Sequence, residues 1–130
     1  MNGTHRSSAS ALSLAAFLLA AGAAHFVVPR PYERIVPEFL GDPAFWVRWS
    51  GVAEIACAGL VALPRTRRVG ALAAAGVLVA LFPANVKMAL DGGLPAGLVW
   101  ARLPLQIPLL VWAARVAYPR AAPAPVRSVE

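Results

Sequence analysis

Four long apolar runs constrain what this chain folds into more than any other feature of its sequence. Each run has about 20 residues, which is the length of helix that crosses the hydrocarbon core of a bilayer. Backbone groups in lipid find no water to bind, so a spanning segment must satisfy its own hydrogen bonds as a helix. The predicted helices cover residues 9–28, 45–63, 69–90 and 98–118.

Composition favours the same class of protein. Of the 130 residues, 59% are hydrophobic and 14% are charged, whereas a soluble domain carries about 25% charged residues. We therefore predict an all-α integral membrane protein in which residues 1–120 form one four-helix up-down bundle. Residues 121–130 are expected to form a flexible cytoplasmic tail. A cleaved signal peptide is the alternative for the first run, which is longer than a typical signal core.

Arginines predict the orientation of the bundle. The loop 64–68 contains three arginines and no acidic residue, and further arginines flank the first and fourth runs. The segments 29–44 and 91–97, on the other side, contain more acidic than basic residues. The positive-inside rule then places both termini in the cytoplasm. Because the basic residues of this +6 chain flank apolar runs, we expect no nucleic-acid binding.

Polar side chains within the four runs share one half of the membrane. At 1.5 Å per residue, Glu54 lies about 14 Å below Phe45, near the midplane, and the other polar residues lie closer to the outer surface. A charge at the bilayer centre costs about 2.5–3.5 kcal/mol, so the shared depth predicts one polar pocket that is open to the outside. The residues concerned are His25, Arg48, Ser50, Glu54, Asn85, Lys87, Arg102 and Gln106.

Helical geometry ranks these residues. Arg102 and Gln106 are four residues apart and share a helix face. Asn85 and Lys87 are about 200° apart, so both cannot face inward on a regular helix. Pro83 relaxes this limit, because proline removes one helical hydrogen bond and kinks the helix. The predicted ligand-binding residues are Glu54, Arg102, Gln106, Asn85 and His25, with Arg48 and Lys87 as weaker candidates.

Structural roles are the alternatives for several of these residues. Glu54 and Arg102 would also serve as a purely structural ion pair, and His25 would pack near the interface without binding a ligand. Cys57, the single cysteine, is expected to act as a small apolar residue. The spacing of His, Cys and Met residues predicts no metal site, and the sequence contains no haem or nucleotide motif. No catalytic residue is assigned.

Four short motifs follow one another along the chain: His-Phe-x-x-Pro at 25–29, the glutamate at 54, Phe-Pro-Ala-Asn at 82–85 and Arg-Leu-Pro-x-Gln at 102–106. In this order they resemble the DoxX-like family of small bacterial membrane proteins, over residues 20–112. The resemblance implies a four-helix protein of the bacterial cytoplasmic membrane. Relatives include a subunit of a thiosulfate:quinone oxidoreductase and proteins linked to thiol or superoxide defence. Lys87 departs from the Tyr or His of those relatives, which weakens any role carried over to it.

Pocket and resemblance together favour a redox-associated membrane subunit whose outward pocket holds a quinone or a small anion. Arg102 and Gln106 would bind the ligand, and Glu54 would relay a proton or fix Arg102. Electrons would have to come from a partner enzyme, since the sequence contains no redox cofactor motif. A non-catalytic scaffold or assembly subunit and a small-molecule carrier are the alternatives; a carrier of four helices would need a homo-oligomer.

Overall fold

The computed structural model describes residues 2–91 and 96–120, without the side chains of residues 2–4, 6, 96, 98, 99 and 102. Within these residues the chain is all helical and contains no strand. The predicted tail, 121–130, lies outside the described residues. So does the side chain of Arg102, a predicted site residue. The helices are α1 (Asn2–Val27), α2 (Pro29–Glu33), α3 (Pro43–Ala62), α4 (Arg67–Ala80), α5 (Phe82–Asp91) and α6 (Ala96–Ala117), with one 3-10 turn at Glu38–Leu40.

Three helical stretches are long and apolar enough to cross a membrane: Ser7–Val27, Pro43–Ala62 and Arg67–Asp91. A shorter apolar stretch, Leu103–Ala117, lies in α6. Large apolar side chains such as Leu72, Phe17 and Ile107 are exposed on these helices. A water-soluble monomer rarely exposes so much apolar surface, whereas lipid acyl chains solvate it without cost. The chain is therefore an all-helical protein whose composition and length suit a membrane.

Both ends of α3 are capped by nearby groups. At its start, the carboxylate of Asp42 accepts a hydrogen bond from the backbone N–H of Ala44 at 3.0 Å, as an N-cap residue does. At its end, the hydroxyl of Thr66 donates to the Leu60 carbonyl at 2.8 Å and Arg67 Nε donates to the Val61 carbonyl at 3.1 Å. These bonds satisfy carbonyls that have no partner within the helix and fix a tight turn into α4.

The third predicted helix, residues 69–90, is divided at Leu81 into α4 and α5. Pro83 is the second residue of α5 and has no N–H to offer the preceding turn. The backbone continues with Leu81 N–H donating to the Val77 carbonyl and Asn85 N–H donating to the Leu81 carbonyl, at 2.9 and 3.1 Å. The apolar stretch is therefore continuous through an irregular turn at Leu81.

The long helices form a closed set of neighbours. Helix α1 packs along α3, α3 along α4, α4 along α6, and α6 also contacts α1. Small and aliphatic side chains fill the centre, and the indole N–H of Trp112 in α6 donates to the hydroxyl of Ser10 in α1 at 2.9 Å. The buried core consists of Ala11, Leu14, Ala15, Leu18, Cys57, Ala58, Val61, Ala71, Ala74, Ala113, Val116 and Ala117.

The closest approach of α1 and α3 depends on two glycines. A Cβ atom on Gly22 would lie 2.8 Å from the Gly51 carbonyl oxygen and 3.1 Å from Glu54 Cβ. A Cβ atom on Gly51 would lie 3.0 Å from His25 Cβ. Each glycine therefore faces a polar residue of the other helix, and the numbering runs in opposite directions along the two, so they are antiparallel. Small residues allow membrane helices this separation.

Replacing Gly22 with alanine tests this crossing. We expect Gly22→Ala to lower the free energy of unfolding by about 1–3 kcal/mol, the range for overpacking a tight contact. Gly59→Ala is the matched control, because a Cβ on Gly59 would meet no atom within 4 Å and alanine has the higher helix propensity. Denaturation in detergent micelles measures both; equal effects would contradict the close crossing.

Candidate functional site

His25 and Glu54 form a buried pair between α1 and α3. His25 Nδ1 lies 3.2 Å from Glu54 Oε2, and each side chain is only 7% exposed. The direction of approach does not give a hydrogen bond, and both atoms are buried without any hydrogen-bond partner. A buried polar group without a partner is uncommon, because its lost hydration is not recovered. The pair is thus the unsatisfied polar element of the described interior.

Tyr32 holds the imidazole from another side. The ring centroids of His25 and Tyr32 are 4.1 Å apart, and the ring planes are inclined by 58°. Tyr32 belongs to α2, the short helix that follows α1. The imidazole is therefore held between a carboxylate of α3 and an aromatic ring of the segment between α1 and α3.

A cavity of about 730 Å³ lies beside this pair. His25 and Tyr32 line it, together with Trp46, Trp49 and Ser50 as the other side chains with a polar atom. Glu54 does not line the cavity. Its carboxylate contacts the imidazole of His25, which lies between Glu54 and the cavity. The apolar lining residues are Ile35, Val36, Pro37, Phe39, Leu40, Phe45, Val47, Ala53, Val77, Ala80, Leu81, Pro83 and Ala84.

The loop between α1 and α3 forms one wall of the cavity. Two hydrogen bonds fasten it: the Trp46 indole N–H donates to the Leu40 carbonyl at 2.8 Å, and Lys87 Nζ donates to the Arg34 carbonyl at 3.3 Å. Ile35 packs against the buried pair Met88 and Ala89. The sequence analysis predicted no site residue in this segment, so Tyr32 and its neighbours were missed. Their signal was the aromatic and aliphatic content of an otherwise charged loop.

Asn85 and Gln106 form a second polar cluster, at the turn between α4 and α5. Asn85 Nδ2 donates to Gln106 Oε1 at 3.3 Å, and Gln106 Nε2 donates to the backbone carbonyl of Leu78. Gln106 is 6% exposed. This cluster joins three helices and satisfies its own hydrogen bonds. Among the described side chains, no hydrogen bond or ion pair connects it with His25 or Glu54.

The remaining predicted site residues lie elsewhere. Arg48 is exposed. Lys87 forms an ion pair with Asp91 one turn along the helix, in addition to its bond to the loop. Neither residue lines the cavity. The side chain of Arg102 lies outside the described residues, so its pairing with Glu54 stays a prediction.

The other reactive side chains of the described residues are potential metal ligands and Cys57. Within residues 2–91 and 96–120, no three His, Cys, Asp or Glu side chains are grouped as a metal site requires. Cys57 is a free, buried cysteine that belongs to the apolar core. Its environment is that of a small hydrophobic side chain.

Gln106 is expected to contribute more to stability than Asn85. Gln106→Leu removes both hydrogen bonds of the cluster and leaves the Leu78 carbonyl without its side-chain donor, whereas Asn85→Leu removes one. Side-chain hydrogen bonds in membrane proteins average about 0.6 kcal/mol, so we expect losses near 1 kcal/mol and 0.5 kcal/mol, respectively. Unfolding in micelles measures both; a larger loss for Asn85→Leu would contradict the arrangement.

Comparison with known proteins gives one assignment. No curated protein and no solved structure matches the chain. One family model, described as a domain of unknown function (DUF8561), matches residues 14–117. The match includes His25, Glu54, Asn85 and Gln106 and covers most of the 130 residues. The chain therefore belongs to the DUF8561 family.

Proposed function

We propose that this protein is a DoxX-like, redox-associated subunit of the bacterial cytoplasmic membrane that binds a quinone in the cavity beside His25. In this proposal the long helices form a four-helix up-down bundle with both termini in the cytoplasm. The cavity then opens toward the outer side of the membrane. The quinone would exchange electrons with a partner enzyme, because the chain's sequence has no redox cofactor motif.

The observation that carries the proposal is the cavity itself. Its volume of about 730 Å³ falls within the range of about 300–1,000 Å³ that is usual for small-molecule sites. Such sites are mostly apolar and contain a few polar groups that orient the ligand. Aromatic rings of Phe45, Trp46 and Trp49 beside one histidine match an uncharged ring molecule with carbonyl groups.

A quinone suits this cavity better than a small anion does. Among the described side chains that line it, none belongs to an arginine or a lysine. Arg48 is exposed and Lys87 is paired with Asp91, so neither of these two cations supplies positive charge to the cavity. An anion in an apolar cavity without a cation would bear a large desolvation cost. A quinone carries no charge and partitions into the bilayer.

The motif positions support kinship with the DoxX-like family. Each of the four motifs contributes one member of a polar pair: His25 with Glu54, and Asn85 with Gln106. The basic turn between α3 and α4 supports the orientation. There Arg67 bonds the end of α3 and Arg68 stacks on the Tyr118 ring, with 4.6 Å between guanidinium and centroid. This basic end would face the cytoplasm.

A scaffold or assembly subunit is the second candidate. The Asn85–Gln106 cluster favours it, because that cluster satisfies its own hydrogen bonds and joins three helices without lining the cavity beside His25. A scaffold would retain stability and partner assembly after the cavity is filled. A carrier would instead show flux of its substrate into proteoliposomes.

Filling the cavity tests the proposal. Ala53→Phe adds a ring to the cavity wall, and we expect it to weaken binding of a short-tail ubiquinone at least about tenfold by occupying the ligand's volume. Ala56→Phe is the matched control, on the same helix with an exposed side chain outside the cavity. Saturable quenching of tryptophan fluorescence in lipid nanodiscs reports binding, since Trp46 and Trp49 line the site.

Two results would contradict the quinone proposal. One is that ubiquinone quenches the fluorescence of the unaltered protein no more than it quenches free tryptophan in the same nanodiscs. The other is that Ala53→Phe and Ala56→Phe bind equally well. The first result together with intact assembly of a partner complex would favour the scaffold.

A further inference from the structure

We infer that His25 is the residue that binds the polar end of the ligand, and that Glu54 acts through His25 as a positioning residue. The inference rests on the proposed quinone site and adds to it which atoms recognise the ligand. It concerns the oxidised quinone, whose ring carbonyls accept hydrogen bonds.

Position assigns the contact to His25. His25 lines the cavity and Glu54 does not, although their side chains meet at 3.2 Å. Nδ1 is enclosed against the carboxylate. Nε2 is therefore the ring nitrogen that remains for the cavity.

Few other hydrogen-bond donors compete for the ligand. The Trp46 indole N–H already donates to the Leu40 carbonyl, and the Ser50 hydroxyl donates to the Val47 carbonyl at 3.0 Å. A quinone carbonyl can only accept a hydrogen bond. Among the lining side chains, the donors that form no other hydrogen bond belong to His25, Tyr32 and Trp49.

Geometry assigns the role of Glu54. Its carboxylate lies 3.2 Å from Nδ1 of His25, and a carboxylate beside one imidazole nitrogen orients the ring, as it does for functional histidines in general. The inferred contact is an Nε2–H group that donates to the ligand carbonyl, and Glu54 would direct that nitrogen toward the cavity.

Tyr32 restricts where the donor points. Its ring lies 4.1 Å from the imidazole, on a loop that is fastened through Leu40 and Arg34. A donor held from two sides loses little conformational entropy on binding. A ligand carbonyl would thus meet a preoriented N–H group.

Selective labelling of one histidine tests the inference. The chain has two histidines, so His5→Gln leaves His25 as the single source of a ¹⁵N-histidine signal. In nanodiscs, a short-tail ubiquinone should shift the Nε2 resonance of His25 in a saturable manner. Glu54→Gln in the same background should change the ¹⁵N resonances of the ring before any ligand is added, because it removes the carboxylate beside Nδ1.

Binding measurements provide the second readout. We expect His25→Phe, which keeps an aromatic ring beside Tyr32, to weaken ubiquinone binding about tenfold or more, because it removes the hydrogen bond from the imidazole to the ligand. Glu54→Gln should weaken it by a smaller factor. His5→Gln should bind like the parent. If His25→Phe does not fold, the resonance shift in the His5→Gln protein decides alone.

The outcomes separate this inference from the proposed function. Saturable ubiquinone binding without a shift at His25, or with unchanged affinity in a folded His25→Phe protein, overturns the inference and leaves the quinone site standing. Unchanged ring ¹⁵N resonances in Glu54→Gln overturn the positioning role. Absence of any saturable binding to the parent protein overturns both.

Discussion

The close crossing of α1 and α3 determines where the proposed site of this protein lies. Without side chains at Gly22 and Gly51, the two helices approach until each glycine faces the polar residue of its neighbour. Three residues after each glycine comes that polar residue, His25 on α1 and Glu54 on α3. Residues three apart share a helix face. The same contact that packs the helices therefore brings the imidazole and the carboxylate together, and widening it by a methyl group would separate them.

The two polar clusters of the interior differ in a way that separates structure from function. Asn85 and Gln106 form a hydrogen bond with each other, and Gln106 forms another with a backbone carbonyl. They therefore stabilise the irregular turn that Pro83 introduces. His25 and Glu54 are equally buried but leave Nδ1 and Oε2 without hydrogen bonds. In a low-dielectric interior a satisfied network stabilises, whereas an unsatisfied one costs free energy. Groups that keep such a cost commonly serve a ligand or a reaction.

How much was predictable follows from what a single sequence encodes. Helical length and composition predicted helices that are long and apolar enough to cross a membrane. The cost of polar groups in lipid singled out eight residues, of which His25, Glu54, Asn85 and Gln106 form the two pairs described above. The division of the third helix at Leu81 follows from Pro83, whose effect on one backbone bond was predictable although its extent was not. The contact of Glu54 with His25 was not predictable, because it depends on which helices are neighbours and on their register. Both are set by long-range packing at the glycines, and the loop wall depends on contacts such as Lys87 with Arg34 that are 53 residues apart.

For the proposed ligand, the cavity wall accounts for the combination of a lipid-soluble molecule with a buried polar pair. Residues of the loop between α1 and α3 cover the site on one side, and the surrounding helices expose apolar side chains that suit a bilayer. A charged ligand would have to leave water to enter, whereas an uncharged ring molecule already dissolved in lipid would not. Once inside, that molecule gains little from further apolar contact, because lipid is as apolar as the cavity. Its affinity must therefore come from shape and from the few polar atoms on the wall, and among these the imidazole of His25 is the one backed by a carboxylate.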